Sequence, residues 1–309
     1  MTNPNIALGP GAEFDVIRAM LDIWGPVAQG IGDDAAVVSV PAGQQLVIST
    51  DTSVEDVHFR RGWISPRDIG ARATTAALSD LAAMGATADA VLVSLVVPEQ
   101  WRDSLLDIAT GIKHSAVAAG ARIVGGNISK GMTFCLSLTV LGYSAAPVRR
   151  SGASSGDVLY VTGTLGGPQA AVAAFERGHT PPAWALHRFA APTARLREGQ
   201  WLAQHGARAM IDISDGLSSD AKHLSAASSV TAVLEAELVP RFATVSAEQA
   251  LKSGEEYELL VALHEGDADR IALEFSKQFA LPLARVGRLI KTNSLARVEI
   301  GGGHDHFSQ

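Results

Sequence analysis

The segment Pro66–Met84 carries the clearest helix signature in the chain, and one of its residues does not fit. Ser65 is a good N-cap, Pro66 occupies the first turn, Asp68 sits where a helix start favours an acid, and Gly85 follows the last turn. The apolar stripe runs Ile69, Ala73, Ala76 and Met84, and the missing member at this spacing is Asp80. The pattern therefore predicts Asp80 facing the interior in the last turn, where the helix dipole is negative. A carboxylate there is doubly disfavoured unless a cation compensates it. The bland alternative is a hydrogen bond from neighbouring backbone N–H groups.

A second group of carboxylates lies in Gly30–His58. Asp33 and Asp34 follow two glycines with no basic residue nearby in sequence, and an extended apolar segment then ends in Ser49, Thr50 and Asp51. Oxygen-only ligands of this kind are what a hard cation such as Mg²⁺ selects. Asp212, Ser214 and Asp215 in IDISDG repeat the theme, with carboxylates at a strand end followed by glycine. Alone, Asp215 reads as an N-cap; beside Asp33, Asp34, Asp51 and Asp80 the group points to a magnesium–phosphate site. No G-x-x-x-x-G-K-[ST] loop, kinase-type glycine loop or HExxH helix is present. Phosphate handling would therefore fall to carboxylate-bound metal and arginine. The GASSG run at 152–156 matches the esterase nucleophile pattern, but a strand follows it where one should precede, so the match is discarded.

The 309 residues fit two ordinary domains, and 47% hydrophobic with 18% charged residues is enough for each to bury a core. A net charge of −7 excludes a basic stripe for nucleic acid. Cys135 is the single cysteine, which excludes a disulfide framework, a thiolate zinc cluster and a CxxC pair; its setting in an alternating run predicts a buried, inert thiol. The chain start lacks a signal-peptide pattern and no apolar run reaches membrane-span length, so a cytoplasmic protein is expected.

Periodicity predicts a helix over 13–23, strands at 36–40 and 45–51, and a strand buried on both faces over 90–97. A helix follows with Trp101, Leu105, Ile108, Ile112 and Ala116 inward. A short strand over 122–124 then opens into Gly125-Gly126-Asn127, and an alternating strand covers 133–142. The polar run 144–157 marks the boundary, giving domains 1–146 and 147–309. The second half reads as strand 158–161, a Gly163/Gly166/Gly167 turn able to cradle phosphate or simply to turn tightly, and helices within 169–175 and 183–204. A strand at 209–213, a helix at 217–227 and alternating strands and helices to 289 complete it.

With these residues assembled, the chain resembles the thiamine-monophosphate kinases of the aminoimidazole ribonucleotide synthetase-like superfamily. The resemblance is carried nearly end to end by GIGDDAAV at 30–37, STDTSVEDVHF at 49–59, LSDLAAMGA at 78–86, GGN at 125–127, RRSGASSGD at 149–157, VTGTLGG at 161–167, IDISDGL at 211–217 and SGEEYEL at 253–259. It implies an N-terminal mixed-sheet α/β domain that pairs in a homodimer and a C-terminal α+β domain that completes the ATP and substrate site. It further implies ATP as co-substrate, several Mg²⁺ ions, and phosphorylation of thiamine monophosphate to thiamine diphosphate by in-line transfer. By resemblance Asp34, Ser49, Thr50, Asp51, Asp80, Asp212 and Asp215 correspond to magnesium ligands. Arg150, Ser214 and the Gly125-Gly126-Asn127 segment face ATP, His58 and Glu255 face the thiamine phosphate, and Asp33 supports Asp34. The chain departs from the family pattern at Ala77, at Asn127 and Glu256 (each an aspartate there), and at Gly301–Gly303, near which an aromatic is usual. A relative that binds ATP without turnover, or acts on another substrate, is the alternative.

Overall fold

The computed structural model describes residue 5, residues 11–32 and residues 34–292. Asp33 and the C-terminal glycines 301–303 lie outside the described residues. Two compact units result, one built from residues up to Leu81 with Thr87–Ala145, the other from Ala82–Ala86 with the chain from Ala146 onward.

The first unit contains α1 (Ala12–Trp24), β1 (Gln45–Val54), α2 (Pro66–Ala83, up to Leu81), β2 (Thr87–Val97), α3 (Leu105–Ala119), β3 (Arg122–Lys130) and β4 (Cys135–Ser144). Its sheet runs β1-β4-β2-β3, antiparallel except for the β2–β3 pair, which α3 connects as a crossover. At the start of α2, the Asp68 N–H donates to Ser65 Oγ (3.1 Å) and Ser65 Oγ–H donates to the Asp68 carboxylate (2.7 Å). Glycines let α2 and α3 touch at the backbone: a Cβ on Gly111 would lie 1.9 Å from the Arg67 carbonyl oxygen, and one on Gly70 2.2 Å from that of Ile108. Phe134, Leu136, Leu138 and Val140 of the β4 segment are buried, as their alternation predicts.

Four readings change. Residues 36–40 form no strand; Ala36 and Val38 pack against Ala90, Val124 and Leu141, so the alternation records side-chain packing without a ladder partner, and Pro41 offers no N–H. Strand β2 is fully buried at Val91, Val93, Leu95 and Val97 but only half-buried at Leu92, Ser94 and Val96, so its apolar run does not mean cover on both faces. Gly125-Gly126-Asn127 lies within β3, paired with Leu92, Val93 and Ser94, and a Cβ on Gly126 would sit 1.8 Å from the Val93 oxygen. Cys135 is half-buried because it falls on the face opposite Phe134 and Leu136; burial, aided by Glu55, raises its pKa, so the thiol stays protonated.

The second unit contains β5 (Val158–Thr162), α4 (Gly167–Glu176), α5 (Ala183–Ala190), α6 (Leu196–Gln204), β6 (Ala209–Asp212), α7 (Leu217–Ala227), β7 (Val230–Leu234), α8 (Ala247–Lys252), β8 (Leu259–Leu263), α9 (Glu265–Phe279) and β9 (Leu283–Lys291). Its sheet is β6-β8-β5-β9-β7 with every neighbour antiparallel, an α+β arrangement. Leu159, Val161, Ile211, Leu260, Ala262 and Val286 from the strands meet Leu217, Ala221 and Leu224 of α7 in one core. No helix among the described residues is long and apolar enough to cross a membrane. Replacing Gly111 by alanine is expected to destabilise the first unit by about 1–3 kcal/mol, read from the denaturant midpoint, because the clash is with backbone.

Candidate functional site

In the first unit the candidate residues divide between the two faces of the sheet. Strand β1 continues to Val54, so Ser49, Thr50 and Asp51 are mid-strand and not at its end. Ser49 donates its hydroxyl to the Asp80 carboxylate, joining β1 to α2. Asp80 is half-buried, and one partner it finds is a hydroxyl from another element. Alternation puts Asp51 on the Ser49 face; its Oδ1 accepts the Thr52 N–H at 2.7 Å. Thr50 points to the other face, where the Thr139 hydroxyl donates to it at 3.2 Å.

Thr139 also borders a cavity of about 550 Å³. Its walls are largely apolar, with Phe14, Ile17 and Trp24 of α1 facing Leu92 and Val124, and its polar residues include Asp34, Ser94, Asn127 and Ser137. The structure thus brings Asp34 together with Gly125, Gly126 and Asn127. An apolar chamber with a few convergent polar groups is what a small-molecule site requires.

His58 lies just beyond β1, half-buried, and its Nδ1 accepts the Val54 N–H at 3.1 Å. A backbone N–H can only donate, so the neutral ring carries its proton on Nε2. Arg72, buried in α2, donates to the His58 carbonyl (3.1 Å) and fixes the loop.

In the second unit Asp212 ends β6 and is 4% exposed; Ser214 and Asp215 follow in the turn into α7. Sequence reasoning missed Asp220. It is 2% exposed and its Oδ2 accepts the Asp215 N–H at 3.2 Å. Burial, then the charges of Asp212 and Asp215, push its pKa up to about 8, against backbone N–H bonds from Asp215 and Ser214 that lower it. The signal was present: Asp220 interrupts the Leu217–Ala221–Leu224 stripe just as Asp80 interrupts its own. Asp212, Asp215 and Asp220 offer only oxygen donors, a chemistry that fits Mg²⁺. Among the described residues no three acidic, histidine or cysteine side chains form a ready-made metal cage.

The remaining candidates are spread over the same unit. Arg150 is exposed, with its carbonyl accepting from Ser228 Oγ at 2.9 Å. Glu255 is half-buried in left-handed backbone (φ 57°), and its N–H donates to the Ser214 carbonyl at 2.7 Å. The VTGTLGG glycines make a packing turn: the Gly166 N–H donates to Glu256, while a Cβ on Gly163 would meet Glu258 at 2.4 Å and one on Gly167 would meet Arg188 at 2.5 Å. A protein carboxylate takes the Gly166 N–H that a phosphate would use.

The AIR synthase related protein N-terminal domain matches residues 32–144, and the C-terminal domain of the same description matches 154–299. Thiamine-monophosphate kinase from Haemophilus influenzae is 31% identical over 96% of this chain and 98% of its own. The chain belongs to the thiamine-monophosphate kinase family. The crystal structure of thiamine-monophosphate kinase from Stenotrophomonas maltophilia K279a has a TM-score of 0.80 at 30% identity, covering 93% of this chain and 96% of that one. AaThiL complexed with AMPPCP and TMP gives 0.75 at 29% identity, with 95% and 96% coverage. The two-sheet α/β and α+β fold is that of this family.

Glu256 offers a pH test. Burial raises its pKa to about 7 despite Arg188, Ser253 and the Gly166 N–H, which lower it; Glu258 raises it further and is itself held by Arg188 and Arg195. A raised carboxyl pKa means that the folded state retains a proton the unfolded state has lost. Stability should therefore fall as pH rises from about 4.5 to about 7 and level off above. Unfolding measured across this range is expected to show a decline that Glu256→Gln reduces by up to about 3 kcal/mol.

Proposed function

We propose that the chain transfers the γ-phosphoryl group of ATP to the phosphate of thiamine monophosphate, with Mg²⁺, giving thiamine diphosphate. The observation that carries this reading is the nearly end-to-end likeness to a kinase complexed with AMPPCP and TMP. The cavity that groups Asp34 with the Gly125-Gly126-Asn127 segment supports it.

The acceptor is already an oxyanion, so no strong general base is needed and none is assigned. The obstacle is repulsion between two polyanions, which positive charge and fixed donors relieve. Asp34, Ser49, Thr50, Asp51, Asp80, Asp212 and Asp215 would hold Mg²⁺, which when bound offsets phosphate charge. Gly125, Gly126, Asn127, Arg150 and Ser214 face ATP, the guanidinium of Arg150 drawing in phosphate. Asn127 stands where the family has an aspartate, so this ATP-facing position carries an amide and no negative charge. His58, with its Nε2 proton, donates to the acceptor phosphate, and Glu255 is a further contact to the thiamine phosphate.

The working form is proposed to be a cytoplasmic homodimer. In the single chain β1 is an edge strand with Leu46 and Ile48 exposed, a surface that a second copy could cover. Sedimentation should then give twice the chain mass.

Incubation with ATP, Mg²⁺ and thiamine monophosphate should yield ADP and thiamine diphosphate, with thiamine and other phosphomonoesters turned over far less. Absence of product from folded protein would sink the reading. Asp80→Asn should lower turnover by about 10²-fold or more while leaving the melting temperature unchanged or higher, since it removes an interior charge. Full activity in that variant would exclude Asp80 from the site.

A further inference from the structure

Residues 253–258 form a strap beside the Ile213–Asp215 turn. The Ile213 N–H donates to the Glu258 carbonyl (2.8 Å), the Tyr257 N–H to that of Ile213 (2.9 Å) and the Glu255 N–H to that of Ser214 (2.7 Å). Glu255 and Tyr257 both have left-handed backbone, with φ 57° and 53°, a conformation costly for residues with a Cβ. Something must hold them there.

Glu256, between the two, turns inward and is 1% exposed. Its Oε1 accepts from Ser253 Oγ (2.6 Å) and from the Gly166 N–H, and its Oε2 lies 3.3 Å from Arg188 Nη2. That Arg188 nitrogen also reaches the Glu256 carbonyl (3.2 Å) and Glu258 Oε1 (2.9 Å). Arg195 closes the network with two bonds to Glu258, at 2.8 and 2.6 Å. A buried ion pair is a poor source of stability, because desolvation offsets the attraction. What this one supplies is a fixed backbone on either side of Glu256.

We propose that Glu256, clamped by Arg188, is a positioning residue for the acceptor side of the reaction. It locks the alternating backbone so that the Glu255 side chain is presented beside the Ser214–Asp215 turn. The inference rests on the reading of Glu255 as a contact to the acceptor phosphate.

Glu256→Gln in the full chain tests it at pH 8. The amide oxygen can still accept from Ser253 and Gly166, the charge opposite Arg188 is lost, and Arg188 keeps Glu258. The variant should melt no lower than the parent, and its Glu255 and Tyr257 amides should exchange deuterium faster. The KM for thiamine monophosphate should rise about ten- to a hundredfold while the KM for ATP stays within about twofold. An unchanged acceptor KM, or both KM values rising together, would overturn the proposal. Should Glu256→Gln fail to fold, Arg188→Lys, which keeps the charge but loses the forked donor, is read by the same split. If the parent protein does not phosphorylate thiamine monophosphate, the functional reading fails by itself. The exchange comparison then still decides whether Glu256 holds the strap, and unchanged exchange overturns it.

Discussion

A carboxylate removed from water must find a donor, a cation or a proton, and the acids drawn inward in this chain find hydroxyls, backbone N–H groups and arginines. Asp80 takes a hydroxyl from Ser49 across two elements. Asp157, 1% exposed, takes Arg208 at 3.1 Å and the Ser154 N–H at 2.7 Å, tying down the turn before β5. Glu256 and Glu258 share two arginines. Asp220 accepts backbone N–H groups, and its pKa is pushed up to about 8, with Asp212 and Asp215 adding to the effect of burial. Arginines answer Asp157, Glu256 and Glu258, whereas Asp220 is crowded by Asp212 and Asp215.

Glycine serves the same end by bringing backbone close. Gly163 and Gly167 admit the Glu258 and Arg188 side chains where a Cβ would collide, and Gly126 admits the Val93 carbonyl to the edge of the cavity. In each case the glycine makes room for something other than itself. This is why glycine-rich motifs in the sequence read ambiguously as phosphate cradles.

Much of the fold was legible because side-chain periodicity is a local property. The helix over Pro66–Ala83, the inward stripe of α3 and the alternation of β4 are all present as predicted. Residues 36–40 and 125–127 were misread because a strand is defined by its partner, and no sequence window contains the partner. The carboxylates of the candidate site were visible as charges in apolar patterns. Asp220 carried the same mark, a carboxylate at a stripe position of the helix that follows the IDISDG turn.

The sequence by itself determined most of the helices and strands, the acid-rich oxygen chemistry and the family. Those follow from residue types and short-range spacing. Only the tertiary structure decided that Ser49 meets Asp80 of α2 and that Thr50 meets Thr139 of β4. It also decided that Gly166 gives its N–H to a protein carboxylate, and that Glu256 lies locked between two left-handed residues. Hydrogen bonds join groups across more than thirty to ninety residues of chain, and their geometry exists only once the chain has folded.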